Sequence, residues 1–400
     1  MRAVKKYFSE LADYVHALSV EFGEKMRVSG NFYNLMPTYY PIQPTVDVVI
    51  TEMAHTLLHQ PYFFRYCAGF GGGKPVIVAE NPYGGMLAEL LDMMDKGRGY
   101  DLYRVFLMEA SVYGCNMSIP YGAWMGNSIH DGFMAPHWLN CEVQDYLYKN
   151  ERYFTNKTNG AALVIYSYKS NYWDEANSQS YGNEGTKNEK PTIASQISGA
   201  YCDPSRKLDF WKVTKQLSAA QVQYDVLITP DGVLREDDFD ESALEGYRIV
   251  VLPDCYEMTN HQVDVLCRWA AKGGRIVVHG RCYAREHFEK AGAVFTEDFM
   301  EDFIPVYDGQ STVSCSDGLL GLRRCDGENF AAVHLINYAY DMHIDKTAPS
   351  KSVELTVKGD FASARAVTAD GEAKVDAEPV PGGIKVKFDM DKVYMMVIFE

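Results

Sequence analysis

The chain has 400 residues, 47% hydrophobic and 23% charged, which is the balance of a globular protein long enough for two or three domains with substantial cores. A formal net charge of −16 argues against nucleic acid or an anionic membrane surface as partner, since neither would find a basic face to meet. No apolar run approaches the ~20 residues needed to span a bilayer.

The opening stretch, MRAVKKYFSELADYV, carries charges throughout, so it reads as an amphipathic helix and not as a secretory signal. Val4, Phe8, Leu11, Val15, Leu18 and Phe22 recur at helical spacing, and Gly23 is a plausible stop, so a helix is expected over 1–24. KMRVSGNFY (25–33) then reads as a strand ending at Asn31, and TVDVVITEM (45–53) as a second ending at Glu52. A helix follows over roughly 53–68. KPVIVAEN (74–81) is the third strand, in which Val76 to Ala79 lead to Glu80 before Asn81, Pro82, Gly84 and Gly85 forbid further strand. Helices are expected over 85–96 and 100–113, and GCNMSIPYGAW (114–124) is the fourth strand. Strands alternating with helices imply parallel pairing with helical crossovers. Each strand ends in polar or aromatic groups: Asn31 and Tyr33, Glu52, Glu80, then Tyr121 and Trp124. In a (β/α)₈ barrel the carboxyl ends of the strands carry the chemistry, but only about four strands are present where a closed barrel needs roughly eight.

Residues 151–305 form a second α/β segment. AALVIYS (161–167), YDVLIT, YRIVVLP and GRIVVHG are near-continuous apolar runs, as buried parallel strands should be. LDFWKVTKQLSAAQV and NHQVDVLCRWAAKGG read as helices, the latter stopped by Gly273 and Gly274. Asn171 to Pro191 reads as a long polar loop. The pattern is that of a doubly wound, flavodoxin-like sheet without GxGxxG or GxxxxGK[ST], so no nucleotide site is expected. Cys255 sits in a strand-end loop but lacks the Gly-flanked elbow that exposes a catalytic Cys. From about 306 the pattern changes to strands alone, NFAAVHLINY, SVELTV, ARAVTA, GIKVKFDM and YMMVIFE, which predicts a small antiparallel β-sandwich. The nine cysteines show no CxxC or Cys/His ligand spacing, so no metal or other cofactor is expected. Most should be buried, reduced thiols, which fits a cytoplasmic protein. The 28 Tyr and 5 Trp suit core packing and equally a sugar-binding cleft, where an aromatic face covers the C–H face of a pyranose.

The order of the segments resembles that of the family 42 β-galactosidases and related glycoside hydrolases. Residues 247–280, YRIVVLPDCYEMTNHQVDVLCRWAAKGGRIVVHG, look like the core of their amidotransferase-like trimerisation domain, and VHLINY (333–338) like the start of their C-terminal sandwich. KPVIVAENPYGG looks like their seventh barrel strand, which ends in the nucleophilic glutamate, and YGCNMSIPYGAW like the eighth. The resemblance implies three units: 1–150 as the C-terminal half of a (β/α)₈ barrel, 151–305 as the trimerisation domain and 306–400 as the sandwich. It implies a carbohydrate substrate and a homotrimer. Counted backwards, 25–33 is strand five, so the first half of the barrel is missing, together with the strand-four glutamate that serves as acid/base. The chain is then a fragment of a longer one, or has lost catalysis, or is completed by another chain.

Retaining glycosidases need two carboxyl groups about 5–5.5 Å apart. The resemblance assigns the nucleophile to Glu80. Glu52, on the neighbouring strand, would orient sugar hydroxyls or tune the nucleophile, and it is the one nearby candidate for acid/base if the chain is complete in itself. Trp124 is a candidate stacking platform, and Asn31, Tyr33 and Tyr121 are candidate hydroxyl partners. The competing reading is a non-catalytic carbohydrate-binding or oligomerisation protein derived from such an enzyme. An amidotransferase fails for want of an elbow Cys with a His partner.

Overall fold

The computed structural model describes residues 1–32, 35, 37–52, 60–79, 93–94, 96–118, 136–156, 158–159, 161–171, 209–307 and 313–400. Helix α1 (Arg2–Phe22) ends at Gly23, whose φ of 68° is the left-handed geometry that closes a helix, as expected. Four parallel strands follow in the order β1-β2-β3-β4: β1 (Ser29–Asn31), β2 (Val48–Glu52), β3 (Val76–Ala79) and β4 (Asn116–Met117). All four expected strands appear, and their expected ends at 33, 53, 80–81 and 119–124 lie outside the described residues. Lys25 to Val28 do not join β1. Instead Asp47 holds the Val28 amide through its carboxylate at 2.8 Å and donates its own amide to the Val28 carbonyl at 2.8 Å. Among the described residues the sheet is open, with no closure into a barrel.

The period-two pleat gives this sheet two different faces. Val49, Thr51, Val76 and Val78 are buried beneath helices α2 (Pro61–Gly71) and α3 (Tyr100–Val112). The other face carries Asn31, Val48, Ile50, Glu52, Ile77 and Ala79, which are half-buried or exposed.

Helix α2 is the wall shared by two sheets. Phe63, Phe64, Tyr66, Cys67 and Phe70 are fully buried, and the helix also lies against β6 (Tyr224–Thr229) of the second sheet. Gly69 makes that approach possible, because a Cβ there would stand 2.5 Å from the Val226 carbonyl oxygen. Arg65, sealed between Tyr113 and Tyr224 rings with its guanidinium 4.8 and 4.4 Å from their centroids, donates to the Tyr224 carbonyl. Burial lowers its pKa.

The second sheet has five parallel strands in the order β6-β5-β7-β8-β9, with β5 (Ala162–Ser167), β7 (Ile249–Pro253), β8 (Arg275–His279) and β9 (Val294–Thr296). This is the 2-1-3-4-5 order of flavodoxin-like sheets. Its central strands are buried on both faces, which explains their unbroken apolar sequences. The helix Asn260–Ala271 opens with a capping box: Thr259 Oγ1 accepts from the Gln262 amide, and Gln262 Oε1 from that of Thr259.

The remaining strands are antiparallel. One sheet runs β10-β15-β19-β18 and a second β11-β12-β20-β16-β17, with a separate β13-β14 hairpin. The ranges are β10 Val313–Cys315, β11 Leu320–Asp326, β12 Ala331–Asn337, β13 Tyr340–Asp341, β14 Lys346–Thr347, β15 Ser350–Lys358, β16 Ala364–Thr368, β17 Gly371–Ala373, β18 Asp376–Val380, β19 Gly383–Met390 and β20 Tyr394–Phe399. Val333, Leu335, Val353, Leu355, Val386 and Val397 form the core between the two sheets. Alternate residues, Ala332, Ile336, Met396 and Ile398, turn the opposite way and join the core that α2 and α3 share. The five-stranded sheet is therefore covered on both faces.

Candidate functional site

The carboxyl ends of β1, β2 and β3 lie side by side. Ser29 pairs with Val48 and Asn31 with Ile50, while Glu52 pairs with Ala79. Asn31 and Glu52 both project from the less covered face, and Asn31 Nδ2 donates to Glu52 Oε1 at 3.1 Å. The sequence reading placed each at the polar end of an apolar run, as a candidate for contact with sugar hydroxyls, and the structure brings the two together. A carboxylate held by an amide on the adjacent strand is positioned by two rigid elements, which fixes its oxygens better than a loop would. Its lone pairs suit acceptance from ligand hydroxyls. Glu80, Tyr33, Tyr121 and Trp124 lie outside the described residues. Glu80 is bonded directly to Ala79, the residue opposite Glu52.

The second parallel sheet offers an instructive contrast. In a 2-1-3-4-5 sheet, ligands enter the crevice at the carboxyl ends of the two strands where the order reverses, here β5 and β7. That crevice is stitched shut. Ser167 and Ser170 Oγ both donate to the Glu257 carbonyl at 2.6 and 2.8 Å, and Tyr256 Oη donates to the Ser170 carbonyl at 2.6 Å. Cys255 is buried with its thiol pKa pushed up by that burial, the opposite of what a nucleophilic thiolate needs. Asp254 has a φ of 53° and receives both arms of Arg281, Nε to Oδ1 and Nη2 to Oδ2, each at 2.8 Å. The turn is held by this ion pair. Of the eight described cysteines four are buried, three are half-buried and Cys141 is exposed, so the expectation that most are buried is met only by half.

One titratable group escaped the sequence reading. Glu109, on α3, is fully buried, receives the Gln60 amide at 3.1 Å and the Tyr338 hydroxyl at 2.7 Å, and is pushed up to about 8 by burial. It sits at a junction of α3 with the β12 end, where burial disfavours its charged form. Its neighbours Met108 and Ala110 are apolar, and nothing local marks the glutamate as buried, because its partner Tyr338 lies 229 positions away. Among the described residues no group of three His, Cys, Asp or Glu is placed to hold a metal, and no described helix is long and apolar enough to cross a membrane.

No family model matches the sequence, and no curated protein matches it. Solved structures do. The β-galactosidase of the Antarctic haloarchaeon Halorubrum lacusprofundi superposes with a TM-score of 0.58 at 11% identity, over 99% of this chain and 66% of that one. The α-L-fucosidase isoenzyme 2 of Paenibacillus thiaminolyticus gives 0.56 at 11% identity over 90% and 66%, and the β-galactosidase of Bacillus circulans 0.55 at 12% over 91% and 63%. The chain thus spans about two thirds or less of the length of these proteins. At such identities the likeness is one of architecture: parallel sheets followed by antiparallel ones, arranged as in glycoside hydrolases, is the fold of this chain.

Proposed function

We propose that the chain is the C-terminal part of a retaining, β-galactosidase-like glycoside hydrolase, or is derived from one. The observation that carries this reading is the Asn31–Glu52 hydrogen bond across neighbouring parallel strand ends, in a chain with a glycoside-hydrolase-like fold. In this reading residues 1–150 supply the second half of a (β/α)₈ barrel, 151–305 a trimerisation unit and 306–400 the sandwich. Glu80 attacks the anomeric carbon, because a nucleophile must be an ionised carboxylate on a rigid element beside polar partners. Glu52 and Asn31 bind sugar hydroxyls next to it, Trp124 stacks on the ring, and Tyr33 and Tyr121 add hydroxyl contacts. In this reading the proton donor sits on strand four of the barrel, which is not among the described strands.

The alternative, a carbohydrate-binding or assembly protein without turnover, draws support from the open four-stranded sheet, whose less covered face lacks the remaining strands of a barrel among the described residues. Assays on nitrophenyl glycosides separate the two. The 400-residue chain alone is expected to show little turnover, since general acid catalysis contributes about 10²–10⁴-fold. With the missing barrel half restored, Glu80→Gln should abolish turnover, and Glu80→Gly with azide should regain part of it on an activated substrate. Full activity of Glu80→Gln in that restored enzyme overturns the assignment. Turnover by the chain alone that Glu52→Gln removes would instead make Glu52 the acid.

A further inference from the structure

Helix α1 carries more apolar surface than the rest of the chain covers. Phe8, Ala12 and Val15 lie on its covered flank, yet Ala12 is the one residue of the helix that is buried. Polar groups anchor that same flank. Lys5 Nζ donates to the Leu234 carbonyl at 3.2 Å, His16 Nε2 meets Asp47 at 2.8 Å, and Ser19 Oγ accepts from the Met26 amide at 2.8 Å. The open flank bears Val4, Tyr7, Leu11, Tyr14 and Leu18, at alternating spacings of three and four, which is the seam of a helix that packs along another helix. Tyr7 and Tyr14 are each 63% exposed, Val4 42% and Leu11 39%, with Leu18 half-buried. Single exposed apolar residues are ordinary on a surface, but a continuous stripe along a helix about 30 Å long marks a contact face.

The charges of α1 select the occupant. Its basic residues, Arg2, Lys5 and Lys6, all stand at the amino end, and its carboxylates, Glu10, Asp13 and Glu21, all come later. Within the helix Lys6 meets Glu10 at 3.6 Å, while Lys25 and Arg27 follow the Gly23 stop and line a groove with His16 and Asp47, on the anchored flank. Basic groups at the amino end and acidic groups at the carboxyl end oppose the helix dipole, so the arrangement is unfavourable for the helix alone. An antiparallel helix of the same sequence reverses this, because each basic end then lies beside an acidic end and the two dipoles oppose. A parallel copy would set like charges side by side. We propose that the open stripe of α1 is the docking surface for a second copy of the chain, the two α1 helices lying antiparallel about a two-fold axis. The register that overlaps the whole seam sets Tyr7 against the partner's Leu18 and Leu11 against the partner's Tyr14, each contact made twice by symmetry, with Lys6 beside the partner's Glu21. The proposal does not rest on the hydrolase reading.

The test is sedimentation velocity of the full chain and its variants over about 1–100 µM. Covering the stripe with its copy removes on the order of 1,000 Å² of surface, the lower edge of specific interfaces, so a Kd of about 10 µM is expected. At the top of that range the parent should have twice the mass of Tyr14→Glu and of Leu11→Asp, with circular dichroism unchanged. Each variant is compared with the parent, so any oligomer built through residues 151–305 is common to both and only the doubling is read. Lys6→Glu alone and Glu21→Lys alone should each weaken association about tenfold, and the two together should return it to within about threefold of the parent. Equal mass of the parent and Tyr14→Glu across the range overturns the proposal. So does association indifferent to Lys6→Glu. Association that the stripe variants abolish but the charge exchange does not restore overturns it too, and gives the stripe to another occupant, such as the barrel half of the hydrolase reading.

Discussion

The two parallel sheets of this protein are built from the same kind of sequence and end in different states. In β5 and β7 of the second sheet both faces are covered, and at the strand-order reversal Ser167, Ser170 and Tyr256 are, among the described residues, tied into structural bonds. In β1–β4 one face is covered by α2 and α3, while the other keeps Val48, Ile50 and Ile77 only half-buried beside the Asn31–Glu52 pair. Sealing consumes polar strand ends in structural bonds, and an uncovered face leaves them addressable by a ligand. A sheet's capacity for chemistry thus depends less on its strands than on which of its faces the rest of the chain has covered.

The largest effect expected probes α3, on the covered side of β1–β4. Glu109 has its pKa raised to about 8 from a model-compound value of 4.5, so its contribution to stability is fully present below pH 4.5 and is lost as pH rises through 8. Unfolding of the parent by urea should weaken from pH 5 to pH 8 by up to about 4 kcal/mol relative to Glu109→Gln, which cannot ionise. Parallel pH profiles for the two proteins would show that the α3 layer admits water. The next effect compares one residue type in the two sheets. Ile165→Ala, in fully buried β5, should cost about 4 kcal/mol, and Ile50→Ala on the half-buried face about 1 kcal/mol. Equal losses in urea titrations would dissolve the distinction between the sheets. The smallest effect belongs to the pair itself: Asn31→Ala should change stability by under about 0.5 kcal/mol, because both groups lie where water can replace the bond. A loss above about 2 kcal/mol would make the pair a structural clasp instead of a site.

Legibility in the sequence followed the same division. The runs ALVIYS, IVVLP and RIVVH announce β5, β7 and β8 because burial on both faces leaves no polar position to confuse the reading. The edge strand β18, DAEPV, is mostly exposed and contains Pro379, which an edge tolerates, so it carries no apolar signal to read. The helix His137–Lys149 was not read from the sequence although Leu139, Val143 and Tyr146 have helical spacing and are buried, since the polar residues between them leave no apolar run. Asn31 and Glu52 were legible because each closes an apolar run at a strand end. Glu109 was not, because its burial is decided by Tyr338 and the Gln60 amide, neither of which is close in sequence. The Arg104 cluster was equally hidden, as Arg104 joins Asp101 on α3 to Glu142, which lies 38 positions beyond Arg104.

The near-contact at Gly69 bears on how such a chain can change over time. With the Val226 backbone 2.5 Å from where a side chain would begin, α2 is cut to fit one neighbour on each flank. A recombination that imported a foreign second sheet would have to import the matching groove as well, or leave Phe63, Tyr66 and Phe70 against a surface of the wrong shape. A side chain at Gly69 would therefore push apart the seam between the two α/β layers.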